Sequence, residues 1–181
     1  MSRINTVTPE TANLDKKNLL NAIEGQMGMV PNFLGVLAQS PDALKAFLGL
    51  HEIAAGGALD PQTRERIALV IAEENACEYC VAAHTAIGRK AGLTTSEIES
   101  NRAGSSQDAR AAAAVEFARN LNEHKGDLTQ AEFEAVRAAG YSDAEIVEII
   151  THVGMNILTN LIGKAVQVEI DFPKIELLKA A

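Results

Sequence analysis

Helix-start signals recur along this 181-residue chain, and they constrain the fold more than any other feature. Ser40-Pro41-Asp42 sets a capping hydroxyl, a proline at the first helical position and an acid near the positive end of the helix dipole. Asp60-Pro61 repeats that signal. Three capping boxes follow: Thr94 with Glu97, Thr129 with Glu132, and Ser142 with Glu145. In each, a hydroxyl and a carboxylate three residues on satisfy amide donors that the first turn leaves unpaired. Apolar residues keep helical spacing behind these starts. Leu19, Leu20, Ile23 and Met27 precede a stop at Gly28, and Leu44, Phe47, Leu48 and His51 share one face. The last box opens the longest helix, with Ile146, Ile149, Ile150, Val153, Ile157, Leu161 and Ile162. Only Val166 to Ile170 alternates like a strand, and a lone strand has nothing to pair with. The expected class is all-α.

The length fits one domain with a single sizeable core. Aromatic residues make up 4% of the chain and Trp is absent, so the core must be built from Ala, Leu, Ile and Val, with methionine filling gaps. Small side chains of this kind let helices approach closely. A net charge of −8 argues against nucleic acid or an anionic membrane as partner. The first residues carry no apolar signal region, and the late apolar stretch 146–162 is interrupted by Glu148, His152 and Asn156, so no membrane span is expected. A cytoplasmic protein is the expectation. Lys90-Ala91-Gly92-Leu93-Thr94 echoes Ala138-Ala139-Gly140-Tyr141-Ser142, either as a decayed duplication or as two solutions to one turn problem.

Chemistry concentrates in Cys77-Glu78-Tyr79-Cys80-Val81-Ala82-Ala83-His84, which holds both cysteines of the chain. Positions three and four apart share a helical face, so Cys77, Cys80 and His84 line one stripe. A helix ending near Glu74 or Asn75 places Cys77 in the first turn of the next helix, where amides and dipole favour a thiolate. His84 can take the thiol proton or stabilise the anion. A second thiol in reach lets an oxidised sulfur close to a disulfide before over-oxidation. Glu65, on the preceding helix, can join proton transfer if the two helices fold together; Glu73 and Glu74 are rival carboxylates. Two blander readings compete: a zinc site, which lacks a visible second ligand pair, and inert buried thiols. His51 and His152 read as packed core histidines, His124 as a solvated helix end, and Tyr79 as a packing or pocket-wall residue. Arg64 and Arg66 flank Glu65 and read as surface or subunit pairs, with anchoring of an anionic substrate as the alternative.

The pattern Glu65-x11-Cys77-x2-Cys80-x3-His84 resembles the signature of AhpD-type alkylhydroperoxidases in the carboxymuconolactone decarboxylase-like family. Residues 71–84 resemble its peroxidase-related subgroup in wording, and Val30-Pro31-Asn32-Phe33 and Thr151-His152-Val153-Gly154-Met155-Asn156 fit as flanks. The likeness implies an AhpD-like helical bundle over residues 28–173, preceded by an arm and first helix (1–27) and followed by a tail (174–181). It implies no bound metal or organic cofactor, and assembly as a trimer or hexamer. By position, Cys80 would attack the peroxide, Cys77 would resolve the sulfenic acid, and Glu65 and His84 would relay protons. Hydrogen peroxide or organic hydroperoxides would be the substrates, and a lipoylated or thioredoxin-like protein the reductant. One position departs: Tyr79 stands where the best-known members carry a histidine, and a phenol is a poor base near neutrality. Two other functions stay open. One is a decarboxylase-type lyase needing acid–base residues but no dithiol, and the other is a non-enzymatic dithiol sensor or assembly module.

Overall fold

The computed structural model describes residues 2–178, and within them the chain is all-helical. The elements are α1 (Leu14–Met27), α2 (Asn32–Leu37), α3 (Pro41–Ala55), α4 (Pro61–Glu74), α5 (Glu78–Lys90), α6 (Thr95–Arg102), α7 (Ala109–Glu123), α8 (Gln130–Ala138) and α9 (Asp143–Val166). The starts behave as their residues dictate. Ser40 Oγ accepts from Ala43 N at 3.3 Å and Asp60 Oδ1 from Thr63 N at 2.9 Å, each with proline next in the chain. The boxes at Thr129 and Ser142 close in both directions. The one at Thr94 does not: its hydroxyl accepts from Glu97 N, but the Glu97 carboxylate turns inward to Arg66, Asn101, Ser106 and Gln107. Burial opposes ionisation there, yet these four donors outweigh it and hold the Glu97 carboxyl down at about 2.

Helix α4 is the axis of the fold. Ile67 to Glu73 are all buried, and α5, α6, α7 and α9 pack around them. One apolar cluster joins Ile67, Val70 and Ile71 to α7, α8 and the first half of α9. A second takes in the N-terminal arm, α1 to α3, both cysteines and the end of α9. Each fully buried Leu or Ile in these clusters contributes roughly 1.5–3 kcal/mol.

Several expectations change. A short helix, α2, follows Pro31 where the sequence read only as a break; Phe33 to Leu37 are buried all round, so no periodicity marks it. Val166–Ile170 forms no strand: Val166 ends α9, Gln167 turns left-handed at φ 54°, and Glu169 N donates to Ser2 Oγ at 3.0 Å instead of to a ladder. Met27 and Met29 are exposed rather than filling the core. Helix α9 does have the length and apolar composition of a span, because its 24 residues include few charges. Half of that stretch is buried inside the protein, with His152, Asn156 and Asn160 on the buried face, as suits a core helix. The two echoing turns share one geometry: Gly92 (φ 95°) and Gly140 (φ 91°) reverse the chain, and Leu93 N and Tyr141 N bond back to Gly88 O and Val136 O. Beyond residue 174, Ile175 and Leu177 lie against the core, and the final three residues fall outside the described part.

Candidate active site

The redox stripe starts at a strained corner. Helix α4 ends at Glu74, and Ala76 takes φ 49°, a left-handed value that a side chain disfavours by about 1–2 kcal/mol. Neighbouring amides hold this turn. Asn75 Nδ2 donates to Asn160 Oδ1 at 2.9 Å, Asn75 and Asn122 exchange side-chain bonds, and Lys164 Nζ donates to Asn75 O at 2.6 Å. The corner places Cys77 at the N-cap of α5 rather than inside its first turn, and its side chain makes no capping bond.

Cys77 and Cys80 are joined as a disulfide with Cα atoms 5.3 Å apart. Both are buried, at 1% and 3% exposure, and both lie under α9 at Gly163, where a Cβ would stand 3.0 Å from Cys77 Sγ and 3.6 Å from Cys80 Sγ. Cys80 lines a cavity of about 440 Å³ enclosed by α2, α3, α4, α5, α9 and the C-terminal segment. Of the two cysteines, Cys80 lines this space and Cys77 does not. A separate hollow of about 250 Å³ lies between α7 and α8, away from the cysteines.

Glu65 and His84 meet in that cavity. His84 Nδ1 lies 2.8 Å from Glu65 Oε2, with the side chains 21% and 16% exposed. With Nδ1 donating to the carboxylate, the other ring nitrogen is left to accept a proton. The rival carboxylates are elsewhere. Glu73 is sealed under Arg102, whose Nε donates to Glu73 Oε2 at 2.8 Å, while Glu73 Oε1 accepts from Leu178 N at 2.5 Å. Neither Glu73 nor Glu74 lines the cavity.

The flanking arginines part company. Arg66 is a half-buried partner of Glu97 within the chain, at 2.8 Å. Arg64 caps two carbonyls through Nη1, at Ala55 and Leu59, and lines the cavity. His51 and His152 also line it, which their apolar helical faces did not reveal. His51 is exposed rather than core, though its inner face packs on Phe47 with ring centroids 6.0 Å apart. Desolvation on that side lowers its pKa, with His84 and Arg64 adding to the effect and Glu65 opposing it. His152 is buried as expected, yet its Nε2 makes no hydrogen bond. Burial first, then the Arg64 charge, lowers its pKa and favours the neutral ring.

Tyr79 is a wall residue, as its chemistry implied. Its hydroxyl accepts from Phe33 N at 3.3 Å, its ring meets Phe33 and Phe172, and burial raises its pKa further from neutrality. It takes no part as a base. Phe33, Phe47, Leu48, Met155 and Phe172 make the rest of the wall apolar. His124 is the partly exposed C-cap of α7, 3.8 Å from Glu132. Among the described residues no group of three or more His, Cys, Asp or Glu is placed to hold a metal ion.

This geometry has relatives. The sequence profile of the carboxymuconolactone decarboxylase family matches residues 41–120, which include Glu65, Cys77, Cys80 and His84. An uncharacterized peroxidase-related protein with an alkylhydroperoxidase AhpD core, from Ralstonia eutropha JMP134, superposes with TM-score 0.84 at 24% identity, covering 94% of this chain and 92% of that one. A peroxidase-related protein from Silicibacter sp. TM1040 gives TM-score 0.79 at 25% identity, with 87% of each chain covered. The debrominase Bmp8, as a cysteine-to-alanine variant bound to 2,3,4-tribromopyrrole, gives 0.78 at 19% identity, with 94% of each covered. No curated protein matches the chain significantly. Profile match over residues 41–120 and shared helical architecture together make this chain similar to AhpD-like proteins of the carboxymuconolactone decarboxylase type.

Proposed function

We propose that the chain is a thiol-dependent peroxidase that reduces hydrogen peroxide or organic hydroperoxides through Cys80 and Cys77. The observation that carries this reading is the asymmetry of the pair: Cys80 lines the cavity with the Glu65–His84 contact, and Cys77 does not. In the reduced protein His84 takes the Cys80 thiol proton, and the Glu65 carboxylate accepts the bond from Nδ1. The Cys80 thiolate attacks the terminal peroxide oxygen and the O–O bond breaks. The alcohol, or water, leaves with the proton from His84, and Cys80 is left as a sulfenic acid. The Cys77 thiol then attacks Cys80 Sγ, expelling water and closing the disulfide held in this structure. An external dithiol, on a lipoylated or thioredoxin-like protein, returns two electrons and two protons by disulfide exchange.

The same acid–base pair without the dithiol would serve a lyase, so the deciding experiment separates the two. Reduced wild type, Cys80→Ser and Cys77→Ser are titrated with hydrogen peroxide and cumene hydroperoxide and read by mass spectrometry. The expected result is a disulfide in wild type, a sulfenic acid at Cys80 in Cys77→Ser and no peroxide consumption in Cys80→Ser. Undiminished turnover by Cys80→Ser overturns the reading. Assembly as a homo-oligomer belongs to the same proposal and is supported by apolar side chains left open on α3 and α9, Ile53 at 79%, Val147 at 61% and Leu161 at 63% exposed. Light scattering showing a monomer at micromolar concentration would remove that part.

A further inference from the structure

The chain is acidic overall, with 24 Asp and Glu against 16 Lys and Arg, but its cavity inverts that balance. Arg64, Lys90, His51, His84 and His152 line it, against the single carboxylate of Glu65. That carboxylate is already turned to His84. Neither Arg64 nor Lys90 forms an ion pair among the described residues; other cations lack one as well, but these two line the cavity. Two cations beside a cavity, left without counter-charge by a chain rich in acids, mark a place for an anion brought from outside.

Their position along α5 adds a length. Tyr79 and Cys80 stand in the first turn of the helix and Lys90 at its last residue, a rise of about 15 Å at about 1.5 Å per residue. Lysine side chains on a helix lean back toward its N-terminus, so a head group on Lys90 lies roughly 10–15 Å from the reacting sulfur. Arg64 and Pro61 line the cavity near that end, as the bond from Gln62 Nε2 to Ala91 O at 3.2 Å ties the start of α4 to the end of α5. At the Tyr79 end of α5 the wall is apolar and aromatic, with Phe33 and Phe172 against the Tyr79 ring and Phe47 against Phe33. One site thus offers charge, reacting sulfur and apolar surface in that order.

We propose that the substrate is an amphipathic carboxylic acid hydroperoxide, its carboxylate held by Lys90 and Arg64, its peroxide at Cys80 and its apolar remainder against Phe33, Phe47 and Phe172. The proposal rests on the peroxidase reading for the reacting group but not for the head group. The carboxylate takes no part in bond making; it sets which oxygen reaches Cys80, and the redox balance is that given above.

The test compares linoleic acid hydroperoxide with its methyl ester, both below their aggregation concentrations, as oxidants of the reduced protein in single turnover. In parallel, calorimetry measures binding of decanoate and of decan-1-ol, neither of which can oxidise a thiol. The acid is expected to react about tenfold faster than the ester, and decanoate to bind about tenfold tighter than the alcohol. Lys90→Glu is expected to abolish both ratios, and the milder Lys90→Gln to reduce them; Lys90 is exposed and unpaired, so either variant folds. Equal rates for acid and ester, together with equal binding of decanoate and decanol, overturn the proposal while leaving the peroxidase intact. A preference for the acid that survives Lys90→Glu also overturns it. If no hydroperoxide oxidises the protein but decanoate still binds through Lys90, the peroxidase reading fails and the anionic head-group site stands.

Discussion

Glu65 and Glu73 lie on the same face-rich helix, each with a nitrogen 2.8 Å from a carboxylate oxygen, and they do opposite things. Glu73 meets Arg102 with both side chains almost wholly buried, at 7% and 1% exposure, and its second oxygen accepts from the backbone near the C-terminus. Arginine does not give up its proton in proteins, so this contact has one state and only holds structure together. Glu65 meets a histidine beside a cavity, and the proposed mechanism has that pair move the proton. Equal distance hides a difference in chemistry that the partner and the solvent decide.

That contrast can be broken from either end. The largest effect is expected from Glu65→Gln, which keeps a hydrogen-bonding side chain but removes the charge that supports His84. Peroxide oxidation of Cys80 should slow by about 10²–10⁴-fold with the denaturant midpoint little changed; stopped-flow thiol oxidation against urea unfolding reads both. Arg102→Met should show the reverse, costing about 3–5 kcal/mol by stranding the Glu73 charge while the surviving folded protein still reacts with peroxide. Should Arg102→Met abolish the reaction in folded protein, the separation of the two carboxylates is wrong.

A smaller effect is expected where α9 crosses the disulfide. Gly163→Ala puts a methyl group 3.0 Å from Cys77 Sγ and should cost about 1–3 kcal/mol, measured by chemical unfolding of the oxidised protein. The smallest is a pH effect. Because the folded His152 pKa lies below its ordinary value of 6.5, the unfolded chain binds the proton more readily. Stability is then complete above about pH 6.5 and falls as the solution is acidified below it. His152→Gln should flatten that acid-side slope between pH 7 and 5. An unchanged slope would mean that the ring is not held neutral in the fold.

Much of the scaffold was legible because it is local. Capping at Ser40, Asp60, Thr129 and Ser142 depends on residues three positions apart, and the structure has a helix at each. The Thr94 box failed for a reason no local window contains: Arg66, on another helix, draws the Glu97 carboxylate away. The short α2 was invisible because a helix buried on all sides has no polar face to give it a period.

The cysteine spacing and the histidine one turn later determined by themselves that two thiols and an imidazole would come together, since α5 carries Cys80 and His84 and Cys77 caps its start. Which carboxylate would meet that imidazole, which cysteine would line the cavity, and whether His51, His152, Arg64 and Lys90 would face the same cavity were decided only by tertiary packing. Those facts depend on how α3, α4, α5 and α9 cross. A helix's own sequence sets what lies on each of its faces, but the neighbours packed against it set which face meets the cavity.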